Sequence, residues 1–366
     1  MNRNRHFAGW SLALAALAAN AQPAAGTAYV SNQNGGISVI DLATLQTTGT
    51  LDAHGKEPRG IGVTADGRLL VIANRADSAV SIIDRASGRL VRKVRIGANP
   101  EFVRVRGRLA FVSYEPSSTG GPPPGAGGAA SAASAVPAPA AGAHKEKDDD
   151  KAEEPARVAI VDLDKGRLVR SITGGPETEG IEFSADGKHI LVTNEEDDTV
   201  TVHAIASGRK VATVDTRAHG KRPRGIKRTP DGRHYVATLE LGNTFIVIGP
   251  DYKVVKTVKT GESPYGVAFD RAGQRMFVAA GKSQVLQVFD AATWQHVKDV
   301  PTGRRCWHFT FTPDDRRILV ACGRSDEVVV IDAQTLEPVK RIADKKLPWG
   351  IVTYPKAMGS LDQPER

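Results

Sequence analysis

Seven residues that could bind a small molecule occupy one repeated position in the chain. Each follows a proline, or a threonine or cysteine in its place, at the start of a short run such as PRGI, PYGV or PWGI. Arginine can hold a carboxylate or phosphate with paired hydrogen bonds, and tryptophan and tyrosine offer flat amphipathic faces to a ring-shaped ligand. The seven are Arg59, Glu101, Glu179, Arg224, Tyr265, Trp307 and Trp349.

These residues belong to units that repeat about every 40 residues. Each unit contains four apolar runs separated by turns, and the third runs read ISVID, VSIID, VAIVD, VTVHA, FIVIG, LQVFD and VVVID. Apolar β-branched residues that alternate with polar ones indicate half-buried strands, and four short antiparallel strands per unit describe a propeller blade. We therefore predict an all-β fold over residues 26–356, a seven-bladed β-propeller with four-stranded antiparallel blades.

The two ends of the repeat region predict how the ring closes. The segment TAYVSN resembles a second strand, and WGIVTY (Trp349–Tyr354) resembles a first strand, so together they complete one blade. The innermost strand of each blade begins at the Pro position. The seven candidate residues should therefore face the mouth of the central channel, and the glycine that usually follows lets backbones crowd around the axis. In the alternative interpretation, the arginines pair with the glutamates and close the channel.

Two nine-residue segments differ at a single position: AHGKEPRGI from Ala53 and AHGKRPRGI from Ala218. Blade architecture alone requires the Pro and the Gly, but not the shared His and Lys, so the His and Lys could contribute to a binding site. The alternative interpretation is a duplicated, solvated loop with no role in binding. No carboxylate or cysteine lies at a supporting ligand spacing, so no metal site is predicted. The candidate contributors to the mouth are His54, Lys56, His219, Lys221, Arg305 and His308.

Two cysteines, Cys306 and Cys322, should lie nearly opposite each other in a hairpin folded around TPDDR. Cross-strand geometry can accept a disulfide, although a register error of one residue would prevent it. An exported chain would permit the bond.

Motifs for several kinds of chemistry are missing from the chain. It contains no CxxCH for a covalent c-type haem and no G-x-S-x-G nucleophile motif. We predict no cofactor and assign no catalytic residue. A set of aspartates closes the third strands and is interpreted as turn-forming rather than catalytic: Asp41, Asp84, Asp162, Asp290 and Asp332.

Three segments lie outside the repeats. Residues 1–21 combine Arg3 and Arg5 with a short apolar run and the site Ala19-Asn20-Ala21, which predicts a cleaved signal peptide, a periplasmic location and no membrane segment in the mature chain. Residues 115–155 are rich in Gly, Pro, Ala and Ser and end in HKEKDDDKAEE. Such a composition predicts a disordered insert, which could form an acidic lid over a basic mouth. Residues 357–366 are interpreted as a C-terminal tail.

The units resemble YVTN-type propeller repeats. The segments GRRCWHFTFTPDDRRILVACGRSDEVVVID and LPWGIVTYP are most similar to exported propellers associated with pyrroloquinoline quinone (PQQ)-dependent alcohol catabolism. This resemblance implies a non-enzymatic periplasmic binding or scaffold protein beside a PQQ-dependent oxidation or electron-transfer system. Its partner would be a periplasmic protein or a small anionic or aromatic ligand. The repeats lack the regular Trp docking pattern of PQQ-containing dehydrogenases, so PQQ itself is not expected to bind.

Two other functions stay open. Propeller lactonases also use acid and arginine residues on one face, so a lactonase-like hydrolase is the first alternative. The formal charge of +8 and the aromatic residues near arginines suggest nucleic-acid binding as the second, although a periplasmic address argues against it. We expect a monomer.

Overall fold

A computed structural model describes residues 26–116, 155–343, 345–359 and 361–364. Their strands form seven four-stranded antiparallel sheets, which confirms the predicted seven-bladed propeller. The predicted signal peptide and most of the predicted insert lie outside the described residues. Within the described part of the chain, no helix is long and apolar enough to span a lipid bilayer.

The strands follow the same order in every blade, from the channel outward. The innermost strands are β4 (Pro58–Val63), β8 (Pro100–Arg106), β12 (Thr178–Phe183), β16 (Pro223–Arg228), β20 (Pro264–Phe269), β24 (Cys306–Phe311) and β28 (Pro348–Tyr354). The second strands are β1 (Thr27–Asn32), β5 (Leu69–Asn74), β9 (Leu109–Tyr114), β13 (His189–Asn194), β17 (Tyr235–Leu239), β21 (Arg275–Ala280) and β25 (Arg317–Cys322). The third strands are β2 (Ile37–Asp41), β6 (Ala79–Asp84), β10 (Arg157–Asp162), β14 (Thr199–Ala204), β18 (Thr244–Ile248), β22 (Val285–Asp290) and β26 (Glu327–Asp332). The outermost strands are β3 (Gln46–Leu51), β7 (Leu90–Arg95), β11 (Arg167–Thr173), β15 (Lys210–Asp215), β19 (Val254–Lys259), β23 (His296–Pro301) and β27 (Pro338–Ile342), and short 3₁₀ helices cover Arg75–Asp77 and Gly323–Ser325.

The first blade joins the two ends of the repeat region. Strand β28 pairs antiparallel with β1, with Ala28 opposite Thr353 and Tyr29 opposite Val352, and β2 and β3 complete the sheet. We number the other blades two to seven in chain order, starting with β4–β7. Each innermost strand contacts the innermost strands of both neighbouring blades. The predicted closure through the terminal strands is therefore present.

Glycine follows the mouth residue in five of the seven innermost strands because the next blade leaves no space for a side chain. A Cβ added to Gly60, Gly180 or Gly225 would collide with the carbonyl oxygen of the next blade's mouth residue. At Gly266 and Gly350 the same carbonyl would lie 2.6 and 2.8 Å from the added Cβ. The inner strands thus approach each other as closely as backbone allows, as the sequence predicted.

Hydroxyl groups on second strands hold the mouth residues of the neighbouring blade. Thr193 donates a hydrogen bond of 2.7 Å to the carbonyl of Arg224, and Thr238 donates one of 2.6 Å to the carbonyl of Tyr265. These bonds tie successive blades together next to the channel, so each mouth side chain starts from a fixed backbone position.

The aspartates that close the third strands all form turns, in agreement with their interpretation. Each accepts the backbone N–H of the residue three positions later, at 2.7 to 3.0 Å.

The C-terminal tail packs into the fold across the end of the channel opposite the mouth. Asp362 is 1% exposed and accepts the backbone N–H groups of Val63 at 2.8 Å and Val105 at 2.7 Å. Its carboxylate also pairs with Lys356 at 2.9 Å, and Leu361 is buried. The described part of this segment is therefore a structural plug rather than an appendage.

Replacing Asp362 by Ala should lower the free energy of unfolding by about 3–5 kcal/mol, because the change leaves two buried backbone N–H groups without their acceptor and removes the carboxylate that pairs with Lys356. Urea denaturation would measure the loss. Asp251→Ala is the matched control, since that side chain is 57% exposed and pairs with an exposed lysine. A loss below about 0.5 kcal/mol in Asp362→Ala would contradict the plug.

Candidate functional site

Arg224 is the centre of the charged cluster at the channel mouth. Its Nη1 forms ion pairs with Glu179 and Glu195, and its Nε donates to Glu240 Oε2 at 2.7 Å. The Tyr265 hydroxyl also donates to Glu179, and the Arg224 guanidinium lies 4.9 Å from the centre of the Tyr265 ring. Three of the predicted mouth residues therefore meet in one buried contact.

Arg59 organises a second part of the mouth. It forms an ion pair with Glu101, and its guanidinium carbon lies 6.0 Å from the centre of the Trp349 ring. Trp349 is 2% exposed and packs on the imidazole of His308 at 4.4 Å between ring centres. The arginine–glutamate pairs of the alternative interpretation are thus both present.

Trp307 takes a different position from the other six. Its ring lies over Gly323 of its own blade, so closely that a Cβ on that glycine would collide with it. The residue is only partly buried and packs beside a core cluster that includes Trp349. It borders the mouth rather than filling it.

Three buried glutamates that were not predicted as site residues complete this cluster. They are Glu115, Glu195 and Glu240, which follow the second strands of blades three, four and five, respectively. Each is at most 5% exposed. Glu115 had been assigned to the insert. It instead donates its N–H to Ala98 O at 2.9 Å and its carbonyl accepts from Asn99 Nδ2 at 3.0 Å, so it belongs to the blade.

Arg222 was also missed, and it joins the acidic side chains of three loops. It contacts Glu177 at 3.3 Å, Glu195 at 2.6 Å and Glu240 at 3.3 Å. It occupies the position before the Pro, where all seven blades have a positive φ: Glu57, Asn99, Glu177, Arg222, Ser263, Arg305 and Leu347. In most blades the carbonyl of this residue accepts the N–H of the residue after the second strand, for example Glu240 N–H to Arg222 O at 2.9 Å. An alignment of the second-strand ends would have shown that the residue before the Pro and the residue after the second strand face each other.

We define the mouth network as Tyr265, Trp349 and ten charged residues, which are four arginines and six glutamates. Arg305, a predicted contributor, joins it through Glu240 at 3.4 Å. The network contains more carboxylates than guanidinium groups, so the expectation of a basic mouth is wrong for this set. Its arginines are Arg59, Arg222, Arg224 and Arg305, and its glutamates are Glu101, Glu115, Glu177, Glu179, Glu195 and Glu240.

Burial and mutual repulsion shift the acidities of this network. Burial, together with the nearby Glu179 and Glu177 carboxylates, raises the pKa of Glu115 to about 8. Burial also raises the pKa of Glu179, although Arg224 and Arg59 oppose the shift. At Glu240 burial is outweighed by Arg224 and Arg305, and the pKa is lowered. At neutral pH the network therefore holds a protonated carboxyl group at Glu115 and an ionised one at Glu240.

The repeated histidines lie away from the mouth. His54 Nε2 contacts the carbonyl of Gly88 at 2.9 Å, and His219 Nδ1 contacts the Thr257 hydroxyl at 2.8 Å. Both rings thus contact outer parts of their own blades, and Lys56 and Lys221 are exposed. Among the described residues, no group of three or more His, Cys, Asp or Glu could hold a metal ion.

Cys306 and Cys322 form a disulfide and lie directly opposite each other between β24 and β25. The bond fixes the start of the innermost strand of blade seven, immediately before Trp307. It therefore anchors the border of the mouth covalently.

Glu115→Gln should make stability less dependent on pH. Because the folded-state pKa of Glu115 is raised, its stabilising contribution is fully present below the ordinary pKa of the group and is lost as the pH rises through about 8. Relative to Glu115→Gln, the wild type should lose free energy of unfolding between pH 5 and pH 9, and the variant should be the more stable protein at pH 9. Urea titrations at each pH would measure both slopes. The control is Glu262→Gln, whose side chain is 55% exposed, and equal slopes in wild type and Glu115→Gln would refute the assignment.

Comparison with known proteins relates two separate segments of the chain to propeller families. Residues 161–252 match the family model described as lactonase, 7-bladed beta-propeller, and residues 266–355 match the YNCE-like beta-propeller model. No functionally curated protein gives a significant match.

Many solved structures share the fold. A functionally unknown protein from Desulfotomaculum acetoxidans DSM 771 is similar with a TM-score of 0.70 at 15% identity, over 89% of this chain and 98% of that one. The periplasmic gluconolactonase PpgL of Pseudomonas aeruginosa has a TM-score of 0.68 at 19% identity, over 90% and 98% of the two chains. A putative 6-phosphogluconolactonase from Bacteroides uniformis ATCC 8492 has a TM-score of 0.68 at 17% identity, over 90% and 99%. The chain is thus a seven-bladed β-propeller whose sequence is related in parts to the lactonase and YNCE-like propeller families.

Proposed function

We propose that the protein is a lactone hydrolase that works at the channel mouth. The proposal rests on the buried contact of Arg224 with Glu179, Glu195 and Glu240, with Glu115 near enough for its charge to interact with that of Glu179. The segment that matches the lactonase model, residues 161–252, contains Glu179, Glu195, Arg222, Arg224 and Glu240. The similar folds of the gluconolactonase and the putative 6-phosphogluconolactonase agree with the proposal.

The two carboxyl groups have different surroundings, which suggests their roles. Glu179 accepts hydrogen bonds from Arg224 and Tyr265; burial raises its pKa, as suits a general base, and these donors favour the ionised form over the protonated one. Glu115 is buried and repelled by two other carboxylates, so it keeps the proton. Ionised Glu179 would act as the general base, and protonated Glu115 would act as the general acid.

Hydrolysis needs no further reagent than water. A water oxygen adds to the lactone carbonyl carbon while Glu179 takes its proton, and Arg59 or Arg224 stabilises the oxyanion that forms. The ring C–O bond then breaks, and the leaving alkoxide takes the proton of Glu115. The product is an open-chain hydroxy acid. Arg59 and Arg222, whose side chains are each 16% exposed, are suited to contact an anionic substrate first.

A second candidate is the non-enzymatic binding role, including association with a PQQ-dependent oxidation system in the periplasm. It is favoured by the ion pairing of Arg59 and Arg224 with buried glutamates, because a closed network could recognise a ligand or partner without turning it over. In that case a hydroxy acid or partner protein would bind, and lactones would not be hydrolysed.

Glu179→Gln should lower kcat for a sugar lactone by at least about 100-fold, since it removes the general base while keeping the size of the side chain. The assay is a pH-stat measurement on gluconolactone and on its 6-phosphate, corrected for the uncatalysed rate. Glu262→Gln, in the loop before the innermost strand of blade six, is the control and should keep wild-type activity. Absence of enzymatic hydrolysis of either lactone, or equal kcat in wild type and Glu179→Gln, would overturn the proposal.

A further inference from the structure

The outermost strands of blades two and three expose apolar side chains near the lower face, by which we mean the face of the propeller opposite the mouth. Strand β7 begins with Leu90 and Val91, which are 41% and 52% exposed. Strand β11 has Leu168 and Val169 at the equivalent positions, 37% and 52% exposed. Both pairs occur in the sequence RLVR. Within the described part of the chain, no other blade exposes two large apolar side chains in succession.

A β-bulge makes the two valines protrude. Leu90 and Arg92 pair with consecutive residues of β6, so Val91 has no partner on that strand, and the register of β11 shifts in the same way at Val169. Such an extra residue re-aims its side chain. The same bulge occurs in other outermost strands, where it helps to protect the edge from pairing with another chain. An exposed leucine beside each valine does not serve that purpose, and it distinguishes blades two and three.

The two apolar pairs lie next to each other on the ring. Strands β7 and β11 contact each other. A Cβ added to Gly166, in the turn that leads into β11, would lie 2.7 Å from Cγ of Arg92. The side chain of Arg92 therefore extends from β7 to the turn of blade three, and the two pairs belong to one surface.

Exposed cations surround this surface. In blades two and three, the turns of the lower face and the first residues of the outermost strands expose six cations but only two acids, Asp66 and Asp164. The cations are Arg68, Arg89, Arg92, Arg108, Lys165 and Arg167. The same segments of blades five, six and seven together expose five cations and four acids. The positive charge is therefore concentrated in the sector that also exposes the apolar pairs.

Charge and shape favour an anionic bilayer as the partner of this surface. Guanidinium groups donate paired hydrogen bonds to phosphate, and each cation near anionic headgroups adds to the attraction. Aliphatic side chains among cations can enter the headgroup region. A protein partner is less well matched, because leucine and valine are under-represented among the residues that dominate protein–protein binding. The exposed apolar residues here are all aliphatic and lie at the outer edge of the ring.

We propose that the lower face of blades two and three binds the surface of an anionic phospholipid bilayer. Leu90, Val91, Leu168 and Val169 enter the headgroup region, and the surrounding cations contact lipid phosphates. The binding is peripheral and reversible, because four aliphatic side chains bury little apolar area. The mouth lies on the opposite face, so docking leaves it open. This surface is separate from the mouth and does not depend on lactone hydrolysis there.

Sedimentation with vesicles tests the proposal on the mature chain, without residues 1–21, whose apolar run could itself insert. Vesicles made of equal parts phosphatidylglycerol and phosphatidylcholine should bind the protein, and the binding should weaken as salt is added. Vesicles of phosphatidylcholine alone should bind at least about tenfold less. Failure to bind the anionic vesicles at low ionic strength would overturn the proposal. Binding to immobilised polyglutamate or heparin without binding to the vesicles would also overturn it, and would identify a soluble polyanion as the partner.

Variants of exposed cations locate the contact on the ring. A triple variant of the proposed surface should lower the partition coefficient at least about tenfold: Arg89→Gln, Lys165→Gln and Arg167→Gln. The matched control removes the same charge from equally exposed positions of blade five and should keep most of the binding: Arg233→Gln, Lys253→Gln and Lys256→Gln. Equal losses in the two triple variants would contradict the proposed location.

Variants of the valines separate docking from simple charge attraction. Val91→Ser combined with Val169→Ser should lower the partition coefficient by about fivefold, because less apolar area is buried in the headgroup region. The matched control is Val297→Ser combined with Val339→Ser, since these bulged valines are 57% and 51% exposed in blades six and seven. Unchanged binding in the first double variant would show that the apolar pairs do not enter the bilayer and would overturn the proposal.

Discussion

The structure depends on how closely seven innermost strands approach one axis. Carbonyl oxygens of the mouth residues occupy the space where the Cβ of Gly60, Gly180 and Gly225 would lie, so backbone packs directly on backbone. The side chains that precede these glycines are then brought together in a region with little water. Charged groups in such a region must be paired, and the pairs of Arg224 with three glutamates satisfy this requirement.

The same constraint divides the channel into two halves. The mouth network contains more carboxylates than guanidinium groups, and in the lower half Arg104, Lys227 and Lys356 lie near Glu182 and Asp362. The rings of Tyr265, Trp349, Phe102 and His308 lie between them. Burial shifts the acidities in both halves: Glu115 in the mouth retains a proton, and the pKa of Lys227 is lowered to about 7. The tail contributes Asp362 to the lower half, so the plug is part of its charge balance.

Repetition explains what the sequence could predict. Blade number, strand order, closure through β1 and β28 and the role of the glycines all follow from a pattern that occurs seven times. Glu115, Glu195 and Glu240 could not be found in this way, because their position contains Gln33, Arg75, Gly281 and Gly323 in the other blades. The tail was also missed, since Asp362 is anchored by backbone groups 299 and 257 residues away and no local pattern encodes such contacts.

Chemistry in this propeller is located where the blades differ. Three consecutive blades, three to five, supply a buried glutamate after the second strand, whereas blades six and seven have glycine there and Trp307 covers one of these glycines. The acidic groups therefore occupy one sector of the ring. Likewise, only blades three and seven have a side chain at the glycine position, and these two side chains meet on the axis. Because the scaffold is common to propellers of several functions, such departures from the repeat are the features that a function of this particular chain must use.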